Sequence, residues 1–492
     1  TDRVTPPDGV EMAASLSEEM ELNLKNDTFG NFSDVFMSKK RPGRLSPTRV
    51  IVGSFMCVIL CGTLLLSLPI ASKAPDGIPI LNALFTATSA TCVTGLIVYD
   101  TFTTFTLFGQ AVILMLIQVG GLGLVTLTTF FSLAMGKRLG FKSLKLASES
   151  VNFDNAAAAK KIIYTVMKIT LACEGCGALL LLPALLPQFG ARAVWISIFT
   201  AISAFCNAGF DLFGSIEPYT SLTTFSGNWY ILSIIMLLII FGGLGFIVWS
   251  DILLHRKSHK LMLHSHIVLV MTGALIALGT LAFAVMEWDN PVTIAEMPTH
   301  EKLLSALFQS VSCRTAGFNS INLAGMHSLS KITAIFLMFI GAAPGGTGGG
   351  VKVTTFAIIF MTVVGVSCGR EDPVIHGRRI DKKTVYKAMS IVCIALLVVM
   401  VATLVLVVDT PARNSMIDGN LIDCMFEAVS AFGTVGLSVG VTAVMGPFAK
   451  IATILAMLIG RVGPISMAMS ISISMGDQAK REVLPEAKII VG

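Results

Sequence analysis

Four short segments of this chain share a pattern whose chemistry lies in the backbone rather than in side chains. They read FTATSATCVTGL (Phe85–Leu96), FTAISAFCNAGF (Phe199–Phe210), FQSVSCRTAGF (Phe308–Phe318) and FEAVSAFGTVGL (Phe426–Leu437). Each carries Phe, then Ser four residues on, then a Gly followed by Leu or Phe. The third is one residue shorter between Ser312 and Gly317. Glycine reaches φ values that other residues avoid, so a turn ending in Gly can aim successive carbonyl oxygens at one axis. Four such turns around an axis would make rings of oxygen that replace a cation's hydration shell. The turns contain no Asp or Glu, so the expected chemistry is coordination by carbonyl dipoles, not by carboxylates.

Such turns must be held by something around them. Each ends a short apolar piece, at 79–91, 194–205, 303–312 and 421–431. A crossing helix needs about 20 residues, so these pieces read as re-entrant half-helices. Long apolar runs flank them, at 50–71, 107–135, 161–186, 228–254, 265–286, 330–365, 386–408 and 449–475. The glycines Gly95, Gly209, Gly317 and Gly436 are 114, 108 and 119 residues apart, the spacing of a repeated supersecondary unit. The unit is span, half-helix, glycine turn, span. The predicted fold class is all-α integral membrane, with eight transmembrane helices as four span–pore-helix–filter–span repeats around a single pore. That arrangement is pseudo-tetrameric. Helix dipoles would then point their negative ends at the pore centre. The expected boundaries are a tail at 1–49, repeats at 50–135, 161–254, 265–365 and 386–475, linkers at 136–160, 255–264 and 366–385, and a C-terminus at 476–492.

Bulk composition agrees with a membrane protein. Hydrophobic residues make up 54% and charged residues 13%, and a soluble core cannot absorb that excess over the usual 25% or so charged. No secretory signal precedes Val50, so residues 1–49 read as a cytoplasmic tail. Segments on the side of the termini hold 26 of the 35 Lys and Arg, which puts both termini in the cytoplasm. The glycine turns then open outward, to an entrance with an acidic excess that concentrates cations.

Enzymatic readings are weak. Cys173 and Cys176 form a single C-x-x-C inside an apolar run, without the four ligands a structural metal site usually needs. His255 and His259 lie beside Arg256 and Lys257 on a basic helix end. Glu174 reads as a packing acid rather than a proton relay. An intramembrane hydrolase using Glu174, Cys173 and a histidine lacks a histidine at mid-membrane depth. No covalent catalysis and no covalent cofactor are expected.

Three other features bear on a pore. GAAPGGTGGGVK (Gly341–Lys352) interrupts the sixth span with six glycines and Pro344, and it lacks the Gly-Lys-Ser/Thr of a phosphate-binding loop. Lys352 and Arg461 are charges within spans, costly there and therefore candidates for function. Arg314 sits inside the third turn, where a guanidinium facing the pore would repel cations. It is expected to face away and brace the turn, against Glu427 on the fourth half-helix.

From about Arg44 to the C-terminus the chain resembles the Trk/Ktr/HKT superfamily of potassium transporters, and within it the KtrB-type membrane subunit. No extra pair of spans precedes Val50, which favours the Ktr type. The resemblance implies gated potassium uptake across a bacterial plasma membrane. It implies a selectivity filter of Thr91, Cys92, Val93, Thr94 and Gly95, then Phe205, Cys206, Asn207, Ala208 and Gly209. Arg314, Thr315, Ala316 and Gly317 make the third filter segment, and Gly433, Thr434, Val435 and Gly436 the fourth. Potassium would sit at the backbone carbonyls of Val93, Thr94, Asn207, Ala208, Thr315, Ala316, Thr434 and Val435. Gly95 stands where some sodium-favouring relatives carry Ser, so potassium is the expected ion. The implied gate is an intramembrane loop of Gly341, Pro344, Gly345, Gly346, Thr347, Gly348, Gly349, Gly350 and Lys352, with Arg461 beside it. The implied partners are a second copy of the chain, in a homodimer, and a cytosolic ring of nucleotide-binding regulatory subunits. Sodium is a possible coupling or regulatory ion, and nucleic acid is not a partner. The rival is the potassium-translocating membrane subunit of an ATP-driven pump.

Overall fold

The computed structural model describes residues 47–123, 126, 156–258, 261–369, 374–375, 377–410, 421–464 and 466–467. The expected tail at 1–49, the linker at 136–160 and the terminus at 476–492 lie wholly or almost wholly outside these residues, as does His259. The described chain is helical. In order it forms α1 (Pro47–Leu66), α2 (Ile80–Thr91), α3 (Leu107–Leu122), α4 (Ala156–Phe189) and α5 (Ala193–Phe205). Then come α6 (Trp229–Gly243), α7 (Phe246–Ser258), α8 (Leu263–Glu287), α9 (Thr299–Ser312) and α10 (Ser328–Phe339). The last are α11 (Val353–Ser367), α12 (Lys382–Asp409), α13 (Leu421–Gly433) and α14 (Pro447–Val462). A two-residue hairpin pairs Val374 with Arg379 and Ile375 with Arg378.

The short pieces form helices α2, α5, α9 and α13, as their composition predicts. Each buries its motif phenylalanine: Phe85, Phe199, Phe308 and Phe426 are all 0% exposed. The helices before them, α1, α4, α8 and α12, are long and apolar enough to cross a membrane. The second helix of each unit is different. α3, α10 and α14 fall short of about 20 residues, and the fourth expected span, 228–254, is two helices bent by 94°. By length and composition four described helices cross, or five with the bent pair. The reason is one glycine in each. Gly123, Gly245 and Gly463 take φ of +80°, +87° and +95°, a left-handed conformation that ends a right-handed helix. In the third unit the break is longer: 340–352 is not helical, as the Gly-Pro composition predicts.

Polar contacts join each unit to the next. Tyr219 N–H donates to Asp100 Oδ2 at 3.2 Å, and Leu222 N–H to Asn319 O at 3.0 Å. Lys331 pairs with Asp423 at 2.8 Å, and Lys450 Nζ donates to Asn82 Oδ1 at 2.9 Å. The last of these ties the fourth unit back to the first. Lys331 and Lys450 each lie ten residues before the glycine of their own span, Gly341 and Gly460.

Candidate ion pathway

The glycine turns carry an unusual backbone. Among the described residues six that are not glycine have positive φ, and four of these are Val93 (58°), Asn207 (59°), Thr315 (67°) and Thr434 (50°). Each stands two residues before its turn's glycine. Gly95, Gly209, Gly317 and Gly436 take φ of +90°, +68°, +81° and +93°. Three of the four non-glycine residues are β-branched, and positive φ is a real outlier for such residues. Strain of this kind, on the order of 1–3 kcal/mol per residue, persists only where the surroundings impose it.

The surroundings do so in the same way four times. The residue before each glycine donates its N–H to the motif serine's carbonyl. These bonds are Thr94 to Ser89 at 2.8 Å, Ala208 to Ser203 at 2.7 Å, Ala316 to Ser312 at 3.0 Å and Val435 to Ser430 at 2.8 Å. In the first and fourth turns the serine hydroxyl also accepts from the glycine N–H, at 3.1 Å. The third turn loses its missing residue from the helix end, so its left-handed residue, alanine and glycine stay in register.

The turns meet in cyclic order. A Cβ added to Gly95 would overlap Ala208 O. One on Gly209 would stand 2.8 Å from Ala316 O, and one on Gly317 2.6 Å from Val435 O. One on Gly436 would overlap Thr94 O, which returns to the start. The second helices pack close behind: Cβ atoms on Gly120, Gly242 and Gly460 would overlap the carbonyls of Thr91, Phe205 and Phe432. The third unit breaks this rule, because Gly341 lies against Gly349 O instead.

The loop 341–352 folds back beneath the turns. Ile340 pairs with Val351 as a parallel bridge, and Gly341 N–H donates to Val351 O at 2.8 Å. Ala343 N–H donates to Gly243 O at 3.0 Å, Thr347 N–H to Gly242 O at 3.2 Å and Gly350 N–H to Gly460 O at 3.2 Å. Arg461 donates to Thr347 O, to Gly120 O and, at 3.1 Å, to Gly121 O. Lys352 Nζ donates to Gly348 O within the loop. Every residue predicted for the filter and gate therefore gathers in one place, although Lys352 closes on its own loop.

Two buried charges differ from expectation or extend it. Arg314 does face away, but its Nη1 donates to Thr272 O on α8 at 3.5 Å rather than to Glu427. Glu427 is already satisfied within its own unit, by Ser438 Oγ, Val439 N–H at 3.2 Å, and Thr442 through its N–H at 3.4 Å and its hydroxyl at 2.9 Å. Glu174 accepts from Gln118 Nε2 at 3.2 Å and lies 3.8 Å from Cys206 Sγ, so it packs behind the second turn. Sequence reasoning missed the left-handed residues, since nothing in Val or Thr signals them. It also missed the helix breaks, whose signal was present: Gly123, Gly245 and Gly463 each follow Gly120, Gly242 and Gly460 by three residues.

Two carboxylates, Asp100 and Asp211, follow the first and second turns within five residues. Asp100 accepts from Thr103 N–H at 2.7 Å as well as from Tyr219. Burial holds the half-buried Asp211 carboxyl up to about 7, the nearby Asp100 charge adds to this, and the Phe213 N–H and Ser221 hydroxyl oppose it.

A family model described as TrkH, cation transport protein, matches residues 46–482. The chain is 36% identical to the potassium/sodium uptake protein NtpJ of Enterococcus hirae, over 93% of this chain and 99% of that one. It is also 36% identical to the Ktr system potassium uptake protein B of Bacillus subtilis, over 87% of this chain and 93% of the other. Among solved structures, the potassium transporter TrkH from Vibrio parahaemolyticus shares the fold at a TM-score of 0.65, with 17% identity and coverage of 88% and 86%. With its four glycine turns closed on one another inside that fold, this chain belongs to the TrkH family of cation transport proteins.

Proposed function

We propose that the chain is the membrane subunit of a potassium uptake system, carrying the ion through one pore whose filter is the four glycine turns. The observation that carries the reading is the cyclic contact of Gly95, Gly209, Gly317 and Gly436 with the next turn's carbonyl. Eight spans in four repeats fit it, with the bent second helices counted as crossings and both termini cytoplasmic. The left-handed residues and glycines turn successive carbonyls of Val93, Thr94 and their equivalents toward the shared axis. The loop 341–352, roofed by the turns and held by Arg461, is the gate. NtpJ is named for potassium and sodium uptake and protein B for a Ktr system. These names support potassium as cargo, a part for sodium, and a separate regulatory subunit; that sodium couples or regulates, and that the subunit is cytosolic and binds nucleotide, belong to the same proposal. They give the pump-subunit reading no support. A homodimer is part of the same proposal.

The test is Rb⁺ uptake into liposomes holding the purified chain with no energy source. Passive uptake down a gradient, competed by K⁺ more strongly than by Na⁺, is expected. Uptake that requires ATP would overturn the pore reading.

A further inference from the structure

Side-chain oxygen lines the inner end of three of the four turns. The left-handed residue of each turn is the innermost of its last three, and in three turns it carries oxygen: Asn207, Thr315 and Thr434. The fourth is Val93. With its amide nitrogen toward Thr347 Oγ1, Phe205 O and Ile239 O, each at 3.2 Å, Asn207 turns Oδ1 to the Thr315 hydroxyl, also at 3.2 Å. All three residues are 0% exposed.

The loop lies directly against these groups. Gly349 N–H donates to Thr434 Oγ1 at 2.9 Å. A Cβ on Gly349 would stand 2.5 Å from the same oxygen, and one on Gly348 would overlap Thr315 Oγ1. Loop backbone thus fills the space an ion leaving the turns would enter, and only glycine lets it come so close. Thr347 Oγ1 meets both Asn207 and Phe205 O, the latter at 3.3 Å. The one quadrant without side-chain oxygen, that of Val93, belongs to the unit whose Gly120 and Gly121 carbonyls hold the Arg461 guanidinium.

We infer that Asn207 Oδ1, Thr315 Oγ1 and Thr434 Oγ1 form an inner site for a dehydrated monovalent cation, and that the closed loop and the cation are alternative occupants of it. This rests on the pore and gate reading above and deepens it. Closure does more than obstruct. It takes the Thr434 oxygen as a hydrogen-bond acceptor and turns the Asn207 amide nitrogen to the loop, so the ligands are withdrawn while the space is filled. Two exclusive occupants of one site oppose each other, so cation at the inner site favours the open loop, by the reciprocity of linked binding.

The test uses Thr434→Val, which installs at that left-handed position the residue the first turn already carries there. It removes the oxygen and keeps the shape. Two quantities are read in liposomes: Rb⁺ flux without any cytosolic subunit, and block by Ba²⁺, a divalent ion of potassium's size, applied from the cytoplasmic face. Both are measured with the loop intact and with Gly345–Gly349 deleted. Losing one hydrogen bond should raise flux about fivefold with the loop intact and not at all once it is deleted. Losing one ligand should weaken Ba²⁺ block about tenfold once the loop is deleted, and only about twofold with the loop intact, where the fivefold gain in open loop offsets part of the loss. Thr434→Ser should behave as the native chain. Thr347→Val, which keeps every proposed cation ligand, should raise flux about twofold and tighten Ba²⁺ block by about the same factor with the loop intact.

Flux that rises equally after loop deletion, or block that does not weaken, overturns the shared site. So does a Thr347→Val chain with native flux, a result that stands even if Thr434→Val does not assemble. The filter reading is separately exposed through Gly436→Ser: if that variant keeps its preference for K⁺, the filter is misplaced whatever Thr434→Val does.

Discussion

Arg461→Ala is the perturbation with the most calculable consequence. The guanidinium makes three contacts with backbone carbonyls, but they do not count equally toward holding the loop. Those to Gly120 and Gly121 join α14 to α3 and persist whether or not the loop moves. Only the bond to Thr347 O crosses to the loop. A hydrogen bond from a charged donor is worth about 1.5–3 kcal/mol net, so its loss shifts the loop's equilibrium toward open by roughly 10- to 150-fold. Deleting Gly345–Gly349 removes the Thr347 backbone bond to Gly242 and the Gly349 bond to the Thr434 hydroxyl as well, and should therefore release more flux than Arg461→Ala. Arg461→Lys keeps the charge but loses the planar fork that spans α3 and the loop, so it should fall between native and alanine. The assay is Rb⁺ uptake into liposomes at matched protein density, with folding checked by size-exclusion profile. A folded Arg461→Ala chain that conducts no faster than native would show that the bond to Thr347 does not hold the gate. A folded deletion chain no faster than native would refute the gate itself.

Gly436→Ser puts a Cβ into Thr94 O and strains a φ of +93°, so discrimination of K⁺ against Na⁺ should fall by at least about tenfold in competition uptake; unchanged discrimination would refute the filter. Asp211 ionises fully only above its raised value of about 7, so the apparent affinity for Rb⁺ should improve from about pH 6 to about pH 8, and Asp211→Asn should flatten that profile. A native slope in the variant would assign the pH effect elsewhere. Arg378, Arg379, Lys382 and Lys383 are exposed together at the hairpin and the start of α12. Replacing all four with Gln should weaken capture of the cytosolic partner, with the difference shrinking as salt rises past the Debye regime. Equal co-purification would reduce the cluster to a determinant of topology.

What was legible in the sequence is what each unit must contain by itself. The motif Phe is fully buried at the same point of every unit, and the motif Ser braces a turn six or fewer residues away, so both recur in register and can be read by eye. The glycines are legible because no other residue permits their approach to the next turn. Left-handed Val93, Thr315 and Thr434 were not legible, because their own preference runs the other way and only the assembled ring imposes it. The partner of Arg314 was misread for a related reason. Charge complementarity pointed to Glu427, but that carboxylate is consumed by Ser438, Val439 and Thr442 a few residues downstream in its own chain segment. Local acceptors outcompete distant ones when both are buried, since neither can be left unpaired.

The same glycine pattern explains why the loop 341–352 sits where it does. A helix that ends leaves its last carbonyls without partners, and such ends carry partial negative charge. Gly123, Gly245 and Gly463 end α3, α6 and α14 at corresponding points, three residues past the glycine that packs on its turn. The freed carbonyls are those of Gly120 and Gly121, Gly242 and Gly243, and Gly460. These are the groups that hold the loop: three accept directly from loop N–H groups, and two accept from Arg461, which in turn holds Thr347. The third unit has no matching helix end to offer, because its own chain supplies the loop. Gly341 does not take the place its counterparts occupy behind the turns and lies against Gly349 instead. The first, second and fourth units thus build a dock, and the third builds what docks there. Restoring a helix at 341–352, for example with Gly345→Ala and Gly348→Ala together, should remove the occupant rather than strengthen it: Gly345 has φ of +73°, and a Cβ on Gly348 overlaps Thr315 Oγ1. Constitutive Rb⁺ flux from that double variant is the expected outcome, and a permanently shut pore would mean the loop is not held by the geometry described.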